Sequence, residues 1–363
     1  MRPKERVLMT INHEEPDQIP LDVWLSPEVS DQLTVLLNLT ESQDPNALPK
    51  RLGHDLLKTG SFGVCDGFAS IYHEERSIGA NLYQDKFGIR WRKAVHGYGA
   101  YCEFAEHPLA NLENYTHYSW PDPLIAERDG LEACAKLVAT DGQQYAIMGS
   151  MPCTIFEACW YLRGLENFLV DIAANQDFAE ELLDRFMHYA LTVSKRLVEL
   201  GVDILWWGDD IAEERGPLIS PTHFRKLIKP RYATMVQEVR KVNRDIKIAF
   251  HTDGSIEWAL DDLADMGFDI LNPLQPDVND VKGVKKRYGK RFTFWGNVDT
   301  RNVMSAGSCS DVIEEVKNVI NTLSPGGGHI FCTNHGIQTT ARVLDNVLAL
   351  YWAFNQFNRY PVT

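Results

Sequence analysis

The sequence predicts an α/β protein, a closed (β/α)8 TIM barrel, and three observations predict it. From about residue 140 onward, short apolar runs alternate with helical patterns. Each run of four to six residues is followed by a helix of ten or more, the mark of parallel strands joined by right-handed crossovers. The residues just past these runs are polar and often beside glycine, as at the catalytic end of a barrel. At 363 residues the chain exceeds the usual ~100–200 of one domain, but α/β barrels run longer as one unit, so 1–363 reads as a single barrel domain.

The first strand is expected at 19–24. A strand at 144–149 precedes helical stretches from 154 to 200, broken near Gly164 and Gln176. Next come strand 203–207 and a helix opening at Ser220-Pro221, an N-cap followed by proline at the first helical position. Strand 247–250, helix 256–266, strand 269–272, helix 278–288 and strand 292–295 continue the rhythm. Helix 310–323, a turn at Gly326-Gly327-Gly328, strand 329–332 and helix 341–357 complete it. Residues 40–140 are the weak part: β-like pieces at 87–94 and 98–104 suggest an inserted hairpin or lid, and the second barrel strand is unassigned there. A doubly wound open sheet is the rival architecture.

Composition narrows the function classes. With 50 acidic against 36 basic residues and a formal charge of −14, nucleic acid and anionic lipid are poor partners. The short basic clusters, Lys285-Lys286-Arg287 and Arg90-Trp91-Arg92-Lys93, read as solvated faces or strand edges. No signal-peptide pattern and no apolar run near the ~18 residues of a membrane span are present, so a cytoplasmic location is expected. Seven scattered cysteines (65, 102, 134, 153, 159, 309, 332) without a C-x-x-C pair favour reduced thiols.

The chemistry is expected where strands end. Asp209 and Asp210 follow 203–207; His251, Thr252 and Asp253 follow 247–250; Asn272 and Gln275 follow 269–271. Asn297 and Asp299 follow 292–295, and Asn334 and His335 follow 329–332. His251 and Asp253 lie two apart, so both side chains can face the mouth, and His335 can reach across as a third ligand. Two imidazoles and a carboxylate suit a divalent metal, zinc foremost. The alternative is that both histidines are hydrogen-bonded strand ends and Asp253 caps the next helix. Of the adjacent acids Asp209 and Asp210, one is expected to bond locally and the other to act on substrate or as general acid/base. Asp209, Asp210 and His335 are therefore the candidate catalytic residues. Asp22, Trp24, Trp207, Asn272, Gln275 and Asn297 are the candidate substrate-binding residues, and Cys153 and Glu157 are candidate mouth residues. Dinucleotide, Walker A, G-x-S-x-G and H-E-x-x-H motifs are absent.

At these same strand ends the chain resembles the uroporphyrinogen decarboxylase superfamily. The likeness is carried by Glu15-Pro16-Asp17-Gln18-Ile19-Pro20, Gly208-Asp209-Asp210, Gly216-Pro217-Leu218-Ile219-Ser220-Pro221 and His251-Thr252-Asp253-Gly254. It continues in Asn272-Pro273-Leu274-Gln275, Gly296-Asn297-Val298-Asp299 and Pro325-Gly326-Gly327-Gly328. The true decarboxylase holds its tetrapyrrole with arginines after the first strand; here Leu21-Asp22-Val23-Trp24-Leu25-Ser26-Pro27 has none. The resemblance therefore implies the corrinoid-dependent methyltransferase branch, in which a methyl group moves between a small substrate and the cobalt of a corrinoid (cobalamin) on a separate protein. Some members of that branch bind zinc through a His-x-Cys pair and a later Cys, which match His251, Asp253 and His335 here. Harder ligands at both thiol positions point to polarising an ether oxygen, as in an O-demethylase. A homodimer is implied as well. A metal-free decarboxylase or lyase on a small carboxylic acid is the alternative.

Overall fold

The computed structural model describes residues 1–64, 76–96 and 99–362; Cys65 and Tyr98 lie outside them. The strands run in chain order as β1 (Leu56–Ser61), β2 (Ser77–Gly79), β3 (Leu82–Gln84), β4 (Arg90–His96), β5 (Gly99–Glu106), β6 (Ala146–Met151) and β7 (Ile204–Gly208). Then follow β8 (Ala212–Glu213), β9 (Gly216–Pro217), β10 (Lys247–His251), β11 (Ile270–Asn272), β12 (Thr293–Val298) and β13 (His329–Thr333). Seven of them form one sheet in the order β1-β6-β7-β10-β11-β12-β13, with every pairing parallel.

The segment expected as the first strand closes this sheet into a barrel. On one side, Phe331 N–H donates to Pro20 O at 2.8 Å and Asp22 N–H to Phe331 O at 2.9 Å. On the other, Asp55 N–H donates to Leu21 O at 2.8 Å. The second barrel strand, unassigned from the sequence, is β1. Four of its six residues, Lys58–Ser61, lack large apolar side chains, so no apolar run marks it.

Alternation sorts side chains to the two faces of each strand. Leu56, Ala146, Met148, Ile204, Trp206, Ala249, Ile270, Trp295, Ile330 and Cys332 fill the interior with Val7 and Ile11 of the first helix, Pro3–Ile11. Leu57, Ile147, Leu205, Trp207, Phe250, Leu271, Phe294 and Phe331 point outward into the larger cluster packed against the helices. Both faces are buried, so the strands read as continuous apolar runs.

The helices match the expected order with local differences. Gly164 separates Phe156–Arg163 from Leu165–Ala174, and the long helix Gln176–Leu200 follows. Ser220 caps its helix through His223 N–H at 3.2 Å. The helix expected from 278 begins at Val281, where the Asp280 side chain accepts from Gly283 N–H. Between β1 and β6 the chain builds a four-stranded antiparallel sheet, β2-β3-β4-β5. Its β4–β5 pair occupies the region read as a hairpin or lid. No helix of the described residues is long and apolar enough to cross a membrane.

Closure is fixed by one buried carboxylate. Asp55 accepts from the Leu21 N–H at 2.9 Å and pairs with the Arg6 guanidinium, which also holds Asp17 at 2.8 Å. Replacing Asp55 by Ala leaves Arg6, 8 % exposed, partly uncompensated. Urea unfolding of that variant is expected to show a loss of about 3–5 kcal/mol; a loss below 1 kcal/mol would contradict this account.

Candidate functional site

Register assembles the site before any loop is considered. His251 pairs with Gly208 on one side and Asn272 on the other, so three strand ends stand level at the carboxyl end of the barrel. The next residues, Asp210 and Asp253, rise from the same edge. Ligand atoms of Asp210, His251 and Asp253 all lie within 4.8 Å of one another. Asp210 Oδ1 accepts from Asp253 N–H at 2.7 Å. Gly254 makes the following turn possible: its φ is +88°, and a Cβ there would meet Glu213 backbone at 2.7 Å.

The chemistry of His251 is set by its neighbours. Asn272 Oδ1 accepts from Trp206 Nε1–H at 2.9 Å, while Asn272 Nδ2 donates to Trp295 O at 2.8 Å. Indole N–H can only donate, so the Asn272 amide has one orientation. Its oxygen, 2.8 Å from His251 Nδ1, therefore requires the proton on that nitrogen. In that tautomer the Nε2 lone pair is left for a cation or a proton. Trp206 and Trp24 flank the ring at 4.7 and 6.0 Å between centroids.

The two adjacent aspartates separate completely. Asp209 is 0 % exposed and accepts from the N–H groups of Ile155, Phe156 and Glu157 and from Tyr232 Oη–H at 2.6 Å. It caps the helix Phe156–Arg163. Burial pushes it up to about 6 despite those four bonds. Asp210 turns into the mouth; burial raises its carboxyl, and the nearby His251 opposes that shift. Glu157, bound through Oε2 to Asp210 N–H at 3.0 Å, is raised well above the usual range by burial, with Cys153 and Asp210 adding to it.

The mouth has two lobes sharing Asp253 and His335. One, of about 610 Å³, runs from Trp24, Trp206 and Tyr161 past Cys153 and Glu157 to Asp210 and His251, under Ala100–Cys102 of β5. The other, of about 690 Å³, is polar, lined by Glu213, Arg215, Gln275, Asp277 and Arg301 among others. A groove of similar size by Trp120 and the helix Gln176–Leu200 lies off this mouth and shares no residue with it.

The remaining sequence candidates are placed as follows. His335 is exposed on the rim, in both lobes but outside the 4.8 Å set, where Asp210 stands instead. Gln275 Oε1 accepts from Gly254 N–H at 3.0 Å and lines the polar lobe. Trp207 points away from the mouth, its Nε1–H on Ser194 Oγ at 3.0 Å, because alternation turns Trp206 inward. Asn297 lines a small cavity of about 140 Å³ against the helix Cys309–Leu323 and does not line the mouth.

Asp22 is 1 % exposed and binds Trp24 Nε1–H at 2.7 Å and Lys58 Nζ at 3.0 Å. Lys58 also sits 4.2 Å from the Trp24 ring centroid, so the pair clamps that indole from edge and face. Lys58 and its neighbour His54 escaped the sequence reading; a lysine two residues beyond inward-facing Leu56 was the available signal.

Residues 95–357 match the family described as uroporphyrinogen decarboxylase (URO-D). The chain belongs to that family. Among its relatives is a methylcobamide:CoM methyltransferase MtaA of Methanosarcina barkeri, 26 % identical over 204 residues, covering 54 % of this chain and 57 % of the relative. Another is a uroporphyrinogen decarboxylase of Legionella pneumophila, 26 % identical over 188 residues and 50 % of each chain. This uroporphyrinogen decarboxylase family chain thus spans about half the length of the curated relatives it matches. Its fold is that of a solved methyltransferase from Methanosarcina mazei, with a TM-score of 0.72 and 20 % identity over 98 % of this chain and 99 % of the other.

Two outcomes follow from this geometry. Burial alone would raise Asp22, but the Lys58 ammonium and the His54 contact outweigh it and hold the carboxyl at about 2. With an unfolded value of about 3.9, this group contributes about 2–3 kcal/mol, present above pH ~4 and lost as pH falls through about 2. Asp22→Asn should remove that contribution at pH 7 and flatten the acid limb of the stability curve. Nitrogen NMR of His251 is expected to report the Nδ1–H tautomer in the wild type and a mixture in Asn272→Leu.

Proposed function

We propose that this chain is a methyltransferase that takes a methyl group from a small methoxylated donor. It delivers that group to the cobalt of a corrinoid carried by a separate protein. The observation that supports this most is the 610 Å³ lobe, with an aromatic wall for an aryl ether and Asp210, His251 and Asp253 at its polar end. The relative named as a methylcobamide:CoM methyltransferase supports the same reaction class.

The donor set fits a divalent cation, with zinc as the proposed ion: one imidazole with its Nε2 lone pair free and two carboxylates that balance a double positive charge. Such an ion would supply positive charge to the ether oxygen as its methyl group departs. The protein's own groups do the remaining work. Trp24 and Trp206 hold the aryl ring beside His251, and Asp209 fixes the helix that presents Glu157 and Tyr161. β5 covers the lobe and limits water. The methyl carbon takes an electron pair from the corrinoid's Co(I) as the carbon–oxygen bond breaks with its own pair left on oxygen, and His335 at the rim donates a proton to that oxygen. The corrinoid protein docks over the mouth. The same reading takes 1–363 as one barrel domain, cytoplasmic and paired as a homodimer.

A metal-free decarboxylase or lyase on a small carboxylic acid is the second reading, favoured by the relatives named uroporphyrinogen decarboxylase. Metal content separates the two. About one divalent ion per chain is expected, lost in His251→Ala and Asp253→Ala and bound about 10–100-fold more weakly in Asn272→Leu. With a Co(I)-corrinoid protein and methoxylated donors, the wild type should methylate cobalt. Protein that stays metal-free with added zinc and methylates no cobalt from any donor would hand the case to the lyase.

A further inference from the structure

We infer that the donor lobe selects a methoxyarene without an acidic group, and that a cationic substituent on the ring strengthens binding. The inference rests on the methyl-transfer reading and names the donor class for that site. Its basis is charge. Four acidic side chains, Glu28, Glu157, Asp210 and Asp253, line the 610 Å³ lobe, and among the described residues neither lysine nor arginine does. The stretches 65–75 and 97–98 contain no lysine or arginine in their sequence, so they cannot supply one.

Three cations beside the mouth, Lys58, Arg215 and Arg301, do not line this lobe. Lys58 lies against Trp24 but is paired with Asp22 at 3.0 Å. Arg215 and Arg301 line the polar lobe instead, where Arg301 is held by Glu214 at 2.6 Å and faces Asp277 at 3.8 Å. A divalent ion on Asp210, His251 and Asp253 would be balanced by its two carboxylates, so it would leave no net positive charge for an anionic substituent. An anionic ring substituent would therefore lose its hydration in a lobe whose described lining holds no lysine or arginine to pair with it. A neutral ring packs on Trp24, Trp206 and Tyr161, and an ammonium group gains acceptor oxygens of the acidic side chains together with the indole faces.

The test is calorimetric binding of three ring-matched probes to the full chain, without corrinoid partner: 4-methoxytoluene, 4-methoxybenzoate and 4-methoxybenzylamine. The toluene should bind, the benzoate about tenfold or more weaker, and the amine at least as tightly as the toluene with an advantage that fades in salt. Gln338→Lys, which adds a cation to an exposed lining position, should narrow the benzoate's deficit. Equal binding of benzoate and toluene overturns the inference, as does failure of all three probes to bind. Methyl transfer is read separately from cobalt. Probes that bind in the expected order without methylating cobalt would remove the methyltransferase reading and leave the charge selection standing.

Discussion

Barrel closure depends on the Asp55 carboxylate. The first strand is short and irregular, touching Phe331 of β13, Ile337 in the segment beyond it, and the backbone of Asp55 just before β1. Its second tie to β1 is a side chain: Asp55 takes the Leu21 N–H and the Arg6 guanidinium together. Arg6 belongs to the helix whose Val7 and Ile11 plug the barrel floor. One buried ion pair thus joins floor, first strand and second strand. Burial still pushes the Asp55 carboxyl up to about 6, against the pull of Arg6. Such a pair contributes little net stability but specifies which strands meet.

Everything at the mouth inherits that closure. Trp24 stands at the end of the first strand, and it reaches His251 only because the first strand returns beside β13 and β1. The clamp of Asp22 and Lys58 then fixes the indole, while Asn272 fixes the imidazole from the opposite side. Neither Asn272 nor Asp22 lies in the close Asp210–His251–Asp253 set; both act through the rings they orient. A hydrogen-bonded support of this kind keeps a reacting group in one tautomer and one position.

The two lobes differ in polarity. Aromatic rings and β5 enclose the first, so charges there act in a medium of low dielectric and weigh more than at the surface. The second is a cleft lined by Arg215, Arg301 and acidic side chains. Asp253 and His335 stand where the lobes meet.

The sequence by itself determined the strand–helix alternation, because β strands buried on both faces read as apolar runs, and the polar residues after them mark one barrel end. Family membership was legible in the same strand-end motifs. His251 and Asp253 were legible as a pair because two residues on extended backbone share a face. Only the tertiary structure decided which residue joined them. Asp209 and Asp210 are chemically identical neighbours, and the choice came from the helix N-terminus at Ile155–Glu157 that consumes Asp209. Trp206 and Trp207 differ in the same way, separated by strand parity and not by composition. β1 and Lys58 were invisible as barrel parts because most of that strand lacks large apolar side chains. Partners distant in sequence fix their places, Asp22 for Lys58 and Leu21 for Asp55, and a linear pattern cannot carry such pairings.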